Sequence, residues 1–374
     1  MFDNLPQNIF LLPPFVLYAI AIVASFIISI YAVKKVIFIT SHRRIYDIPD
    51  DIRKFHGGQI PSLGGVGIFM GYIIVASFFI LNEPKGWNFM TASTVILFFT
   101  GIYDDLMNMR PNRKLMIQLL ASFITVYLAD IRITSFEGIL GIGTLGYWVS
   151  ISITTFFCTF FINVFNFIDG IDGLACVTAI YYSIILGALF AVIGHISLAC
   201  IAFCLVGATL GLLYYNKAPA KIYMGDTGSL VLGFCIFVFS VQVVNCGNIA
   251  ANTPALNRNL AFMLNSQILL LFVFSLLYLP IFDAIHVFII RVAKGVSPFK
   301  ADRNHLHYLL LDAGFKHTQS VLILLITNIL NLSIGYMLQN KHSLDTIACV
   351  TVFDLFVLAA IYKLRKKRKN IICA

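Results

Sequence analysis

Eleven stretches of apolar residues recur along the chain, near 15–38, 64–81, 89–103, 115–131, 147–166, 173–193, 195–214, 228–245, 261–290, 318–338 and 344–362. Polar residues are confined to the short segments between them. A backbone inside hydrocarbon has no water to bond, so apolar stretches of this length predict helices that satisfy their own N–H and C=O groups. About 20 residues of helix suffice to cross a bilayer. The pattern therefore predicts an all-α integral membrane protein, a bundle of about eleven transmembrane helices. No period repeats and no Ser/Gly/Pro linker intervenes, so residues 1–374 read as one polytopic domain. The ninth stretch is about 30 residues, or about 45 Å as a helix. Pro280 falls within it, and the expectation is a helix broken there.

An odd number of spans puts the termini on opposite sides, and Lys and Arg decide which is which. One set of connecting segments holds 22 of the 26 basic residues: Lys34, Lys35, Arg43, Arg44, Arg53, Lys54, Arg110, Arg113, Lys114, Lys217, Lys221, Arg291, Lys294, Lys300, Arg303, Lys316 and the cluster from Lys363 to Lys369. The other set holds Lys85, Arg132, Arg258 and Lys341. The N-terminus is thus expected outside and the C-terminus in the cytoplasm. MFDNLPQNIF lacks the basic start of a cleaved signal peptide, so the first span is expected to be retained.

Composition agrees: 59% of residues are apolar and 11% charged, against about a quarter charged in soluble domains. The net charge of +9 could suggest nucleic acid. Its place on one side of the spans, ending in KLRKKRKN, reads instead as a patch facing anionic lipid. The eight cysteines form no CxxC pair and read as small core hydrophobes.

The acids share the basic side. Asp104, Asp105, Asp169, Asp172, Asp226, Asp302 and Asp312 all fall at inside span ends or inside loops. Topology does not require them there, and carboxylates at a bundle end are costly unless they do something. Asp104 and Asp105 end the third stretch, and Lys114 opens the fourth; paired acids with a lysine suit phosphate and Mg²⁺. In NVFNFIDGIDGLA, Asn163, Asn166, Asp169 and Asp172 step by three, which on a helix gives a shared polar face. Asp226 stands among small residues in MGDTGS at the entrance of the eighth stretch. After Pro280 come Asp283, His286 and Arg291, then a loop with Asp302, Arg303, His305 and His307. Two His at i, i+2 exclude a helix-borne HExxH zinc site, and Arg with two His suits pyrophosphate. Gly64, Gly65 and Gly67 at the second stretch allow close packing or the approach of a phosphate.

DDLMNMRPNRK, NVFNFIDGIDGLA, MGDTGSLVLG and PFKADRNHLHYLL, in that order, resemble the polyprenyl-phosphate N-acetylhexosamine-1-phosphate transferases over about residues 40–315. The WecA/TagO-like branch is the nearer, MraY the more distant. The resemblance implies a bundle in the bacterial inner membrane with a cytoplasmic active site. It implies UDP-N-acetylhexosamine as donor (GlcNAc the expected sugar), undecaprenyl phosphate as acceptor, UMP as product and Mg²⁺ (with Mn²⁺ as a substitute) as cofactor. The lipid product would open a surface glycan such as O-antigen or teichoic acid. By motif, Asp104, Asp105, Lys114 and His305 are the catalytic candidates. Asn166, Asp169, Asp172, Arg303 and His307 are substrate-binding candidates, and Asp226 with Asp105 the metal ligands. The partners are then the two substrates and the bilayer, with no nucleic acid; monomer and homodimer both stay open.

Two departures matter. The last position of the family's HxHH is Tyr308, and FHGGQIPSLGG replaces MraY's Lys-x-Gly-Thr-Pro segment, which argues against the alternative of a phospho-MurNAc-pentapeptide transferase. A secondary transporter, the rival of another class, would show internal repeats and midplane acids. A CDP-alcohol phosphotransferase would need an Ala-Arg after Asp-Gly, and Asp169-Gly170-Ile171-Asp172-Gly173 lacks it.

Overall fold

In a computed structural model, described for residues 12–43, 60–79, 86–251, 265–297, 302–339 and 341–373, each of the eleven apolar stretches contains an α-helix. They are α1 (Pro14–Arg43), α2 (Gly65–Ala76), α3 (Trp87–Met107), α4 (Pro111–Phe123), α5 (Tyr147–Ile168), α6 (Leu174–Ile193), α7 (Ile196–Asn216), α8 (Gly225–Ala251), α9 (Ser266–Ala293), α11 (His317–Met337) and α12 (Ser343–Cys373). A short α10 (Leu306–Asp312) lies between α9 and α11. Among the described residues the only bridge between extended segments is Ser135 with Thr144. Eight helices, namely α1, α5 to α9, α11 and α12, are long and apolar enough to cross a membrane. The chain is a multi-pass membrane protein. Arg44, Arg53, Lys54, Lys85, Arg258 and Lys300, used above to count charge, lie outside the described residues.

Helix α8 is the axis of the bundle: 89% of its most apolar stretch is buried, against α3, α5, α6, α2 and α9. Its sequence allows this because small residues let neighbours approach. A Cβ on Gly65 would overlap the backbone of Gly228, and one on Gly101 the backbone of Thr227. The glycines at the start of α2 thus serve packing. Gly64 N and Gly65 N donate to Tyr223 O and Met224 O at 2.9 and 2.8 Å, and Tyr223 N donates to Pro61 O. This short backbone ladder fixes the 222–224 turn that delivers Gly225 (φ 72°) and Asp226 to the top of α8.

Two expectations are corrected. Helix α9 runs unbroken through Pro280 for 28 residues. A proline removes one hydrogen bond, and here it is buried in a helix packed against α8, α11 and α12. The polar series at step three does not stay on one helix either. Helix α5 ends at Ile168, so only Asn163 and Asn166 share its face; Asp169 and Asp172 lie in the turn before Gly173, whose φ of 79° opens α6. Asn163 bonds Gln118 at 2.7 Å, tying α5 to α4.

Candidate active site

The acidic span ends converge around one lysine. Asp104 and Asp105 lie in the last turn of α3, which stops at Asn108 with φ 51°. Arg110-Pro111 then opens α4, placing Lys114 one turn inside it. The Lys114 Nζ donates to Asp104 Oδ2 at 3.0 Å and also to Asp226 Oδ2. Asp226 Oδ1 accepts from Asn166, whose amide reaches Ser229 Oγ at 2.8 Å as well. Asp104 Oδ1 accepts from Met109 N. Three helices, α3, α4 and α8, are thereby joined through two carboxylates and an ammonium, with α5 adding an amide.

Asp105 is occupied differently. Its carboxylate accepts from Asp226 N at 2.8 Å, Thr227 N at 3.0 Å and Thr227 Oγ1 at 2.6 Å. It caps the first turn of α8 from a neighbouring helix, where orphan N–H groups and the helix dipole favour an anion. Asp169 Oδ2 accepts from Gly225 N at 3.2 Å. Burial, with the Asp226 charge next, pushes its carboxyl up to about 7. Asp172 is a tie between segments: its Oδ2 accepts from Ala220 N at 3.2 Å and lies 3.4 Å from His317 Nδ1.

The histidine loop forms a second cluster. Asp283, buried on α9 one turn past Pro280, bonds His305 Nδ1 at 2.9 Å and accepts from Leu306 N at 2.8 Å. A carboxylate on one ring nitrogen fixes the tautomer and aims the other nitrogen. Asp302 holds the loop to α9 through two bonds from Arg291, 3.0 and 3.1 Å, while Asn304 Nδ2, within the loop, donates to it at 2.8 Å. Although burial opposes ionisation, these donors hold its carboxyl down at about 2. His307 stacks on His305 with centroids 5.6 Å apart. Its Nε2 abuts Gly170, where any Cβ would collide with the ring; this joins the His loop to the Asp169–Asp172 turn. Burial, and then His305, lowers the His307 imidazole to about 3. It is neutral at ordinary pH, so it offers an N–H and not a positive charge.

The model of glycosyl transferase family 4 matches residues 87–244, which contain Asp104, Asp105, Lys114, Asn166, Asp169, Asp172 and Asp226. Over 328 residues the chain is 25% identical to the undecaprenyl-phosphate alpha-N-acetylglucosaminyl 1-phosphate transferase of Escherichia coli O157:H7, covering 85% of this chain and 83% of that one. It is 29% identical over 321 residues to the probable undecaprenyl-phosphate N-acetylglucosaminyl 1-phosphate transferase of Bacillus subtilis strain 168, covering 82% and 81%. The Yersinia pestis alpha-N-acetylglucosaminyl 1-phosphate transferase is 28% identical over 293 residues, covering 76% and 74%. Along most of its length the chain is thus similar to undecaprenyl-phosphate N-acetylglucosaminyl 1-phosphate transferases, and the family model covers its central helices.

In this membrane protein the structure joins Asp104, Lys114, Asn166 and Asp226 directly, with Asp169 on the Gly225 N–H and Asp105 on the Asp226 and Thr227 N–H groups beside them. His305 and His307 border it across Gly170. Arg303 lies further out, its guanidinium over the Tyr308 ring at 5.5 Å, and the Tyr308 ring is 4.2 Å from that of His307. The position where the family's last histidine gives way to tyrosine is therefore the platform under Arg303. Sequence reasoning missed the role of Asp283, whose signal was its place just after Pro280 in an apolar run. It also missed Asn216, which accepts from Gly173 N at 3.0 Å and donates to Ile222 O at 2.9 Å; nothing in its spacing pointed to that.

Proposed function

We propose that this transferase moves N-acetylhexosamine 1-phosphate, with GlcNAc as the sugar, from a UDP-sugar to undecaprenyl phosphate and releases UMP. The names of the related bacterial enzymes support the sugar and the acceptor. The observation that carries the reading is the ammonium of Lys114 held between Asp104 and Asp226. An ammonium between two carboxylates marks a place built to balance charge, which phosphoryl transfer asks of a protein above all.

An acceptor phosphate oxygen attacks the β-phosphorus of the donor. The bond from that phosphorus to the bridging oxygen breaks, and the electron pair leaves with UMP. A phosphate monoester is largely dianionic at pH 7 because its second pKa is about 6, so no strong base is needed. Asp104 and Lys114 orient the acceptor phosphate. Asn166 and Asp169 face the donor side, with Asp172 holding their turn. His305, aimed by Asp283, and His307 donate to donor oxygens, and Arg303 meets the pyrophosphate.

Among the described residues no three His, Cys, Asp or Glu side chains converge as a metal cage. The donor set nevertheless fits Mg²⁺, which takes one or two carboxylates and completes its shell with substrate phosphates and water. Asp226 and Asp104, facing each other across Lys114, are the pair we propose to hold it. Asp105, expected beside Asp226 as a ligand, serves both through its grip on α8. When bound, Mg²⁺ would neutralise charge on the donor phosphates.

The reading also places the N-terminus outside, the C-terminus and site in the cytoplasm of a bacterium, and α2 to α4 within the bundle. The lipid product would open a surface glycan such as O-antigen or teichoic acid. Purified protein given undecaprenyl phosphate and a panel of UDP-sugars tests the reaction. UMP with a matching lipid product from UDP-GlcNAc supports it; a matching product only from UDP-MurNAc-pentapeptide would replace it.

A further inference from the structure

The basic tail that the sequence assigns to lipid is partly engaged elsewhere. Arg365, on the last turns of α12, pairs with Asp312 Oδ2 at 2.9 Å. The other oxygen of the same carboxylate accepts from Arg303 at 3.3 Å. Arg368 Nη1 donates to the carbonyls of Leu311 and Asp312 at 3.1 and 3.4 Å, where a helix end favours a cation. Its guanidinium lies against Gly314, where φ is 105° and a Cβ would come within 2.9 Å of it. One carboxylate thus bridges two arginines, one in the histidine loop and one on the C-terminal helix.

We infer that Asp312 and Arg365 are positioning residues for Arg303, which makes the C-terminal helix α12 part of the apparatus that binds the phosphates of the sugar-nucleotide donor. The inference rests on the reading that Arg303 meets the donor pyrophosphate. Asp312 fixes one edge of the Arg303 guanidinium and the Tyr308 ring fixes its face. A guanidinium has five N–H donors in a rigid fork, so the same group can serve Asp312 and a phosphate. Fixing a long side chain before the ligand arrives lowers the ordering cost of binding. Left with Arg303 alone, Asp312 would pull it inward as a tight ion pair. Arg365 on the second oxygen shares the charge and anchors the carboxylate to α12. The three side chains are each about one-quarter exposed, at 27%, 26% and 25%, so solvent screening keeps the effect moderate.

The test is steady-state kinetics of the full-length protein in lipid nanodiscs, with donor and acceptor varied in turn. Arg365→Ala and Asp312→Asn are expected to raise the donor KM about 3- to 10-fold, with kcat and the acceptor KM within about 2-fold. Arg365→Lys, which keeps the charge and one contact, is expected to recover most of the loss and guards against a folding defect. Arg303→Ala with Arg365→Ala is expected to be no worse for the donor than Arg303→Ala alone, because Arg365 acts through Arg303. Additive losses, equal losses for both substrates, or an unchanged donor KM in Arg365→Ala would overturn the inference while leaving Arg303 in place. An unchanged donor KM in Arg303→Ala would remove the reading beneath it as well.

Discussion

Lys114 donates to Asp226 across 112 residues of chain, and the same ammonium reaches Asp104 at 3.0 Å. The two acids come from the last turn of α3 and the first turn of α8. Each sits at an end of a packed helix that is fixed by other contacts, so neither can retreat from the other. Without a cation between them, two partly buried carboxylates would repel in a medium of reduced dielectric.

Replacing Lys114 by Met should therefore cost activity and stability together. Turnover is expected to fall about 10²- to 10³-fold, and the melting temperature in detergent should drop at pH 7. Part of that stability should return with added Mg²⁺, which can take the place between the carboxylates. UMP release and a thermal-shift series with and without Mg²⁺ check both expectations; an unchanged melting temperature would show that the ammonium is not balancing the acids.

Asp283→Asn should act on the chemistry through His305. The amide keeps the size of the side chain but offers the ring an N–H or a weaker acceptor. Loss of such an orienting partner is expected to lower kcat about 10- to 100-fold. The acceptor KM should stay close to that of the wild type. Kinetics with each substrate saturating would show this split, and a purely structural Asp283 would instead change the melting temperature with kcat per folded molecule preserved.

Much of this arrangement was legible in the sequence. Each of the eleven apolar stretches contains a helix, and eight of those helices are long and apolar enough to cross a membrane, because hydrocarbon forces the backbone into helix regardless of detail. The acids that the sequence singles out at span ends, Asp104 and Asp226, do meet around Lys114 in the structure. What the sequence did not show depends on distance in space. Asp283 and His305 are 22 residues apart, Asp105 caps a helix 121 residues away, and Arg365 meets a carboxylate in another helix. Nor did spacing reveal where α5 stops: a step of three continues past Ile168 in the sequence, but the chain turns before Asp169 and Gly173 opens the next helix. Pro280 is the reverse case, a local breaking signal overridden by packing.

Stability should also depend on pH through Asp169. Its folded pKa of about 7 lies above the unfolded value of about 3.9. The folded protein therefore binds more proton between these values, and stability is fully present below about pH 4 and declines as pH rises towards 7. Asp169→Asn should flatten that part of the curve. Thermal unfolding of metal-free protein from pH 4 to pH 8 measures it; an identical slope in the variant would contradict a buried carboxyl at this position.

Orientation can be checked with single cysteines in a background lacking the native ones. Positions 42, 104, 169, 226 and 305 should all be shielded from an impermeant reagent added to spheroplasts, and position 341 should be labelled. Outside labelling of any of the first five would overturn a cytoplasmic site.

The most direct test of the account is a Mg²⁺ titration of UMP release by the wild type and by Asp226→Asn. The variant keeps the shape of the side chain and an acceptor for Lys114 but loses the charge proposed to help hold Mg²⁺. The account predicts turnover reduced at least about 100-fold, with a higher Mg²⁺ requirement for whatever remains. Near-wild-type turnover by Asp226→Asn at low Mg²⁺ would contradict it.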